Sequence, residues 1–181
     1  MREIILHSCC APCSAAIIEW MMQNDMRPTI FYCNPNIYPS EEYQIRKEEC
    51  SRYAKKLNLS IIESDYDHEE WLKSVSGFEE EPERGGRCLL CFKFRLYRTA
   101  EFAVESGINL FTTTLASSRW KSLPQITEAG EWAMEQIKGS EFYDKNWRKG
   151  GLQQRRNELL AENGFYNQNY CGCEFSIRKE K

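Results

Sequence analysis

Three groups of cysteines lie near the beginning, the middle and the end of the chain, and they constrain its fold more than any other feature. The first group belongs to the segment His-Ser-Cys-Cys-Ala-Pro-Cys-Ser at residues 7–14, which follows the first apolar run. The grouped thiols are Cys9, Cys10, Cys13, Cys88, Cys91, Cys171 and Cys173. Thiols so far apart in sequence can serve one site only if the fold brings their segments together. We therefore interpret all seven as candidate metal ligands.

The spacing within each group suggests which metal centre the chain could hold. A Cys-x-x-Cys pair at the start of a helix places both sulfurs on one side, and Gly172 lets a Cys-Gly-Cys segment bend. Adjacent residues of an extended segment point to opposite sides, so we expect Cys9 and Cys10 to reach two different metal positions. Seven thiols also exceed the four that a structural zinc takes. The pattern favours an iron–sulfur cluster with a further metal beside it, over a structural zinc or a purely thiol–disulfide function.

Composition limits the remaining choices. A chain of 181 residues is long enough for one domain with a proper core, and we predict a single domain over residues 1–181. Its nine cysteines are an odd number and too few for a disulfide scaffold, and the isolated Cys33 and Cys50 are expected to be buried apolar residues. Arg2 and Glu3 precede a short apolar run, which predicts neither a signal peptide nor a membrane span. We expect a cytoplasmic protein with reduced thiols and no membrane partner.

Charge is distributed unevenly along the chain. The net charge is -3, yet residues 145–181 hold eight Lys and Arg against four Glu, which gives +4 there and -7 for the rest. Such a basic region suits a phosphate-binding face, although a solvated charged helix is an equally good interpretation.

Apolar periodicity predicts alternating strands and helices. Strands are predicted at residues 3–7, 29–33, 59–62, 109–115 and 142–143. Helices are predicted from Ser14, from an N-cap at Ser40 to about Leu57, from Asp67, over 88–106 with a C-cap at Gly107, over 124–138 and over 155–162. Residues 77–86 are predicted to form an exposed, mobile loop. The fold class is therefore α/β, with a mostly parallel sheet flanked by helices and a site at the carboxyl ends of the strands.

Six motifs follow one another in a familiar order. They are His-x-Cys-Cys-Ala-Pro-Cys at 7–13, Tyr-x-Asn-Pro-Asn-Ile-x-Pro at 32–39, Arg-Cys-x-x-Cys-x-x-x-Arg-Leu at 87–96, Thr-Thr-Thr-Leu at 112–115, Arg-Lys-Gly-Gly at 148–151 and Tyr-Cys-Gly-Cys-x-Phe-Ser at 170–176. Together they resemble the QueH family of epoxyqueuosine reductases, over nearly the whole chain. The fold expected is of the PP-loop/HUP type.

The resemblance implies the two-electron reduction of epoxyqueuosine to queuosine at the wobble position of tRNA, with loss of water. It implies a 4Fe–4S cluster at the carboxyl ends of the strands, a neighbouring metal ion, expected to be iron, that binds the epoxide oxygen, and no cobalamin. The partners would be an external electron donor and the anticodon loop of the tRNA. Some family members carry Asp at the Cys13 position, which leaves a role for Cys13 as a ligand of the second metal open.

Candidate site residues follow from the motifs and their neighbours. Proton donors to the departing oxygen are expected among Tyr43, Glu42 and Tyr170. Substrate contacts are expected from Asn34, Asn36, Arg87, Thr113, Ser117, Arg119, Lys121, Arg148 and Lys149. Basic and aromatic residues alternate at 118–121 and 145–149, so Trp120 and Trp147 could stack on an unpaired base, with burial in the core as the alternative.

Two other functions were weighed against this one. An ATP-dependent iron–sulfur tRNA thiolation enzyme of the PP-loop type needs a Gly- and Ser-rich phosphate loop after the first strand. Cys-Cys-Ala-Pro-Cys stands there instead, without glycine and with a proline that lacks an N–H. A non-catalytic zinc module that binds nucleic acid is the second alternative, and iron content would distinguish it.

Overall fold

A five-stranded sheet forms the centre of the molecule in a computed structural model that describes residues 1–177. The strand order is β3-β2-β1-β4-β5, and all neighbouring strands are parallel. The elements are β1 (Arg2–His7), α1 (Ala11–Gln23), β2 (Met26–Tyr32), α2 (Ser40–Lys56), β3 (Ile61–Glu63), α3 (His68–Ser74), α4 (Gly86–Glu105), β4 (Leu110–Thr113), α5 (Leu123–Gln136), β5 (Glu141–Phe142) and α6 (Leu152–Asn163), with short 3-10 turns at Thr114–Ser117 and Glu174–Ser176. The predicted α/β fold class is confirmed. Arg178, Lys179 and Lys181, which contribute to the basic C-terminal region, lie outside the described residues.

The central strand explains why both faces of the sheet are covered. Ile4, Ile5 and Leu6 of β1 are fully buried, as expected for a parallel strand between two helical layers. Helices α1, α2 and α6 pack together in one layer, and α3, α4 and α5 pack together in the other. None of the helices in the described part of the chain has the length and apolar character that crossing a bilayer requires.

The strand order reverses between β1 and β4, and parallel α/β sheets bind their ligands in the crevice at such a point. The chain segments that leave these two strands are joined there. The backbone N–H of Cys9 donates to Thr114 Oγ1 at 3.1 Å, and the same hydroxyl donates to Cys9 Sγ at 3.3 Å. The first cysteine group therefore lies at the edge of the sheet where the sequence predicts a site.

Several predicted boundaries were wrong. Strand β2 begins at Met26 instead of residue 29, β3 covers Ile61–Glu63 instead of 59–62, α6 begins at Leu152 instead of residue 155, and the C-cap of α4 is Ser106 instead of Gly107. Three further differences have a visible local reason. Helix α1 begins at Ala11, not Ser14, with Cys10 as its N-cap and Pro12 in its first turn, where proline's missing N–H costs nothing. Ser40 is the first residue of α2, and its N-cap is Pro39. Strand β4 ends at Thr113 instead of residue 115, because Thr113 Oγ1 accepts the N–H of Leu115 at 3.1 Å and turns the chain into a 3-10 turn.

Candidate metal centre

The N-terminal thiol group, Cys9, Cys10 and Cys13, is compact. Its three sulfurs lie within 4.8 Å of one another, and the Sγ atoms of Cys9 and Cys10 are 3.8 Å apart. Within residues 1–177 it is the one set of three or more Cys, His, Asp or Glu side chains with all ligand atoms so close. The expectation that Cys9 and Cys10 point to opposite sides was wrong, because Cys9 lies in a bend and Cys10 caps α1 instead of continuing a flat strand.

Hydrogen bonds among these buried thiols make them unequal acids. Bonds with Cys10 and Cys13 lower the pKa of Cys9, whereas bonds with Cys13 and Cys9 raise the pKa of Cys10. The bond to Cys10 favours ionisation of Cys13, but the bond to Cys9 and burial outweigh it and raise the pKa of Cys13 to about 11. Gln168 Nε2 also donates to Cys10 Sγ at 2.9 Å. Cys9 is therefore the first to ionise, in a set that could together bind one metal ion.

The four-thiol group consists of Cys88, Cys91, Cys171 and Cys173. Cys88 and Cys91 lie one turn apart at the start of α4, and the other two flank Gly172. Cys88, Cys171 and Cys173 line one narrow crevice, the thiol crevice, while Cys91 and Cys173 pack in one small apolar cluster with Trp71. Burial raises the pKa of Cys91 to about 12. Two distant segments thus bring four thiols to one place, although these are spaced more widely than the N-terminal group.

The Cys-Gly-Cys segment is held by contacts that the sequence did not reveal. Arg46 on α2 donates to the carbonyl oxygens of Cys171 at 3.0 Å and Tyr170 at 3.2 Å. The N–H of Tyr38 donates to the carbonyl of Gly172 at 2.8 Å. Gly172 has φ +136°, in a region that other residues rarely adopt. The last two cysteines are therefore positioned by the loop before α2 and by α2 itself.

Arg87 holds the other side of the four-thiol group. Its buried guanidinium donates to the carbonyl oxygens of Phe78, Glu79 and Glu81, and it lies 5.2 Å from the ring centre of Phe175. Residues 77–86 are mostly exposed, as predicted, but these bonds tie the loop to α4. The predicted substrate contact by Arg87 has a structural competitor, because its Nη1 already has carbonyl partners, whereas its buried Nε has none among the described residues.

A polar cavity of about 260 Å³, the basic cavity, opens between the two thiol groups. Cys9, Cys13 and Cys171 are among its lining residues, so both groups reach it. Four cationic side chains also line it, and no Asp or Glu of the described residues does so. The four cations are Arg46, Arg119, Lys121 and Arg156. A cavity with this lining could attract an anionic ligand beside the thiols.

Of the three predicted proton donors, the structure brings Tyr170 to the basic cavity. Burial raises the pKa of Tyr170 to about 12, so it keeps its proton at neutral pH. Tyr43 is buried and donates to Glu63 at 2.9 Å, away from the cavity lining. Glu42 forms a buried ion pair with Arg46 at 2.8 Å. These two side chains have structural partners where they are.

The predicted substrate contacts divide in the same way. Ser117, Arg119 and Lys121 line the basic cavity. Asn34 donates to the carbonyl of Ser8 at 2.8 Å, and Thr113 Oγ1 forms a hydrogen bond with His7 Nδ1 at 2.8 Å, both inside the core. Asn36 is likewise buried, and its side-chain amide lies beside Gly172, as does the guanidinium of Arg46.

The basic segment at 145–149 faces the protein more than the sequence suggests. Arg148 donates to the carbonyl oxygens of Ser118 at 2.5 Å and Lys121 at 2.7 Å, whereas Lys149 is exposed. Trp147 is fully buried, so the prediction that it stacks on a base was wrong, because its ring packs in the core. Trp120 is 43% exposed and lines the basic cavity.

Sequence reasoning gave no site role to Arg46, Arg95, Arg156 and Gln168, although Arg95 is the second arginine of the motif at 87–96. Arg46 follows Glu42 by one helical turn, Arg95 follows Cys91 by one turn, and Gln168 precedes the Cys-Gly-Cys segment by three positions. Helical spacing from a recognised motif residue was an available signal for Arg46 and Arg95. No comparable signal marked Gln168, whose contact with Cys10 spans most of the chain.

Comparison with known proteins adds a family to this geometry. The model of the family described as epoxyqueuosine reductase QueH matches residues 4–179. The chain is 45% identical to an epoxyqueuosine reductase QueH of Histophilus somni, over 98% of this chain and 73% of that protein. It is 38% identical to the QueH of Thermotoga maritima, over 100% of this chain and 94% of that protein.

A solved structure shares the fold. It is described as a predicted subunit of tRNA methyltransferase from Methanocaldococcus jannaschii, and it aligns with a TM-score of 0.60 over 93% of this chain and 94% of that chain. The identity is 12%, so this likeness concerns the fold alone.

Proposed function

The chain belongs to the epoxyqueuosine reductase QueH family, and on that premise we propose that it reduces epoxyqueuosine to queuosine at the wobble position of a tRNA. The observation that carries the proposal is the basic cavity, onto which a group of three thiols and a group of four thiols both open. In the proposed reaction both C–O bonds of the epoxide break and a C=C bond forms. Two electrons come from an external donor, and two protons convert the oxygen to water.

The two thiol groups fit different inorganic partners. A 4Fe–4S cluster takes four cysteine thiolates, which matches Cys88, Cys91, Cys171 and Cys173. Three sulfurs within 4.8 Å leave a tetrahedral ion one open position, which matches a second metal, proposed to be iron, held by Cys9, Cys10 and Cys13. When bound, these groups would supply electrons and a Lewis acid for the epoxide oxygen.

The side chains around the cavity would bind and orient the substrate. Arg119, Lys121 and Arg156 offer cationic donors to the phosphates that flank an extruded nucleotide, and the exposed ring of Trp120 offers a stacking face. Tyr170 is the proposed proton donor. Its hydroxyl donates to the carbonyl of Tyr38 at 2.5 Å, and moving that donor bond to the departing oxygen would require a change of partner.

Analysis of anaerobically prepared protein tests the metal assignment. We expect roughly four sulfides and more than four metal ions per chain, because seven thiols exceed the needs of one cluster. The same preparation, given a chemical reductant and tRNA that carries epoxyqueuosine, should release queuosine-containing tRNA. Protein with zinc, no sulfide and no turnover would contradict the proposal and favour a zinc module.

Salt dependence tests the proposed tRNA surface. Each phosphate contact contributes about one unit to the slope of log affinity against log salt, so Arg119→Gln combined with Arg156→Gln should flatten that slope by about two units. Arg52→Gln is the matched control, since Arg52 is exposed and lies in an ion pair on α2. An unchanged slope in the double variant would mean that another surface meets the tRNA.

A further inference from the structure

Three buried cations near the thiols have no carboxylate partner among residues 1–177. Arg87 is held by carbonyl oxygens of its own loop, and the other two are Arg95 and Lys121. Arg95 is 2% exposed and Lys121 is 8% exposed. Among residues 1–177, neither has an Asp or Glu oxygen within 4.0 Å. An unpaired buried charge is strongly unfavourable, so these residues need anionic neighbours in the working protein.

Arg95 is fixed in place by neutral acceptors. It lies on α4 one turn after Cys91, and its Nη1 is 3.9 Å from Cys91 Sγ. Its Nη2 donates to Asn34 Oδ1 at 2.5 Å, and its Nε donates to the carbonyl oxygen of Cys33 at 3.4 Å. Amide and carbonyl oxygens orient the guanidinium but leave its charge uncompensated. Of the groups that contact this guanidinium, the Cys91 thiol is the one that can become anionic and neutralise its charge.

Lys121 lies between the two thiol groups. It lines the basic cavity together with Cys9 and Cys13, and it lines the thiol crevice together with Cys88 and Cys173. Burial by itself lowers the pKa of Lys121, but the neighbouring thiolates more than offset burial and raise it. Glu83 also lines the thiol crevice, but it is exposed and forms no ion pair with Lys121. In the protein without tRNA, the proposed metal ligands are therefore the groups that could compensate both cations.

We propose that Arg95 and Lys121 are electrostatic positioning residues that stabilise the anionic, thiolate-bound metal centres and favour the reduced state of the cluster. The inference rests on the proposed function. Both centres are anionic once their thiols ionise, and an electron accepted by the cluster adds negative charge. Fixed cations in a low-dielectric interior lower the free energy of that reduced state, so they raise the reduction potential.

Lys121 gives the sharper test, because the hydrogen bonds of Arg95 also support the core. Anaerobically loaded protein without tRNA is titrated with dithionite, and the reduced cluster is followed by electron paramagnetic resonance. Lys121→Met should shift the midpoint potential to a more negative value, whereas Lys121→Arg should stay close to the parent protein. Lys93→Met is the matched control, because Lys93 lies on α4 in a partly exposed ion pair with Glu128.

The outcomes separate charge from packing. An unchanged midpoint in fully loaded Lys121→Met, or an equal shift in Lys93→Met, would overturn the proposal. If Lys121→Met assembles no cluster, the Lys121→Gln and Lys121→Arg variants decide whether the site requires the positive charge or only the packing of the side chain. Assembly in the arginine variant alone supports the requirement for charge, and failure of all three, or assembly in Lys121→Gln with an unshifted midpoint, overturns it. A parent protein that contains no redox-active cluster would instead refute the proposed function on which this inference depends.

Discussion

The two thiol groups are built in different ways. The N-terminal group needs one strand end and one helical turn, because Cys9, Cys10 and Cys13 span five residues. The four-thiol group forms only when the C-terminal segment reaches α4. Local backbone geometry thus compacts the first group, whereas long-range contacts assemble the second. Closely spaced ligands can thus form a site through local geometry, while distant ligands depend on every contact that docks their segments.

The anchors of the two groups follow the same division. The N-terminal group is attached to the centre of the sheet, where Thr114 bonds to both the N–H and the sulfur of Cys9. The C-terminal thiols depend on Arg46 and Tyr38, and His68 binds Glu174 at 2.8 Å just after them. Substitutions in residues 170–176 should therefore disturb the four-thiol group and leave the N-terminal group intact.

The largest expected effect comes from removing a proposed cluster ligand. Cys88→Ala or Cys91→Ala should abolish the broad visible absorbance and the bound sulfide, because the cluster loses one of the four thiolates that would attach it to the fold. Cys33→Ala and Cys50→Ala are controls of the same chemistry outside both groups, and their metal content should be nearly unchanged. Loss of colour in either control would contradict the assignment of the metal ligands to the two thiol groups.

Replacing Cys13 should separate the two centres. Cys13→Ala should keep the cluster absorbance but lose the second metal and most turnover. Cys13→Asp should keep the cluster, the second metal and measurable epoxide reduction, since thiolate and carboxylate both bind iron. Iron analysis and visible spectra measure this. Bleaching of the cluster in Cys13→Ala would make Cys13 a cluster ligand, and turnover at the parent rate would make it a packing residue.

Gly172→Ala tests whether the conformation of the Cys-Gly-Cys segment at 171–173 is needed to assemble the four-thiol group. A Cβ there would lie 3.1 Å from Ile37 Cγ1 and 3.2 Å from Arg46 Nη1, at φ +136°. We expect a cost of about 1–3 kcal/mol in the free energy of unfolding and a partial loss of sulfide, with the metal of the N-terminal group retained. Gly107→Ala is the control, because φ is +73° there and no atom lies within 4 Å of the added Cβ. Equal sulfide loss in both variants would contradict a specific role of the Cys-Gly-Cys segment in assembling the four-thiol group.

The smallest effect is expected from Glu174→Gln. The His68–Glu174 pair is only partly buried, so its loss should lower the unfolding free energy by less than about 1 kcal/mol. Denaturant unfolding and sulfide analysis would measure the two effects. A large loss of sulfide would show that this pair, and not only the backbone bonds to Gly172 and Cys171, docks the segment.

The parallel α/β pattern, the three cysteine groups along the chain and the edge of the sheet that carries the first group were all predictable from the sequence. These properties depend on periodicity and on the positions of strand ends, which neighbouring residues set. The placement of Cys88 and Cys91 one turn apart at the start of a helix was predictable for the same reason.

The contacts of the polar side chains near the motifs became apparent only from the three-dimensional structure. Arg87 and Arg148 bind backbone carbonyl oxygens, Trp147 is buried, and Cys9 and Cys10 lie on the same side. An arginine can bind a phosphate or a carbonyl, and a tryptophan can stack on a base or fill a core. Which of these occurs depends on burial and on partners from distant segments, because the desolvation cost of each side chain is set by neighbours that local sequence does not specify.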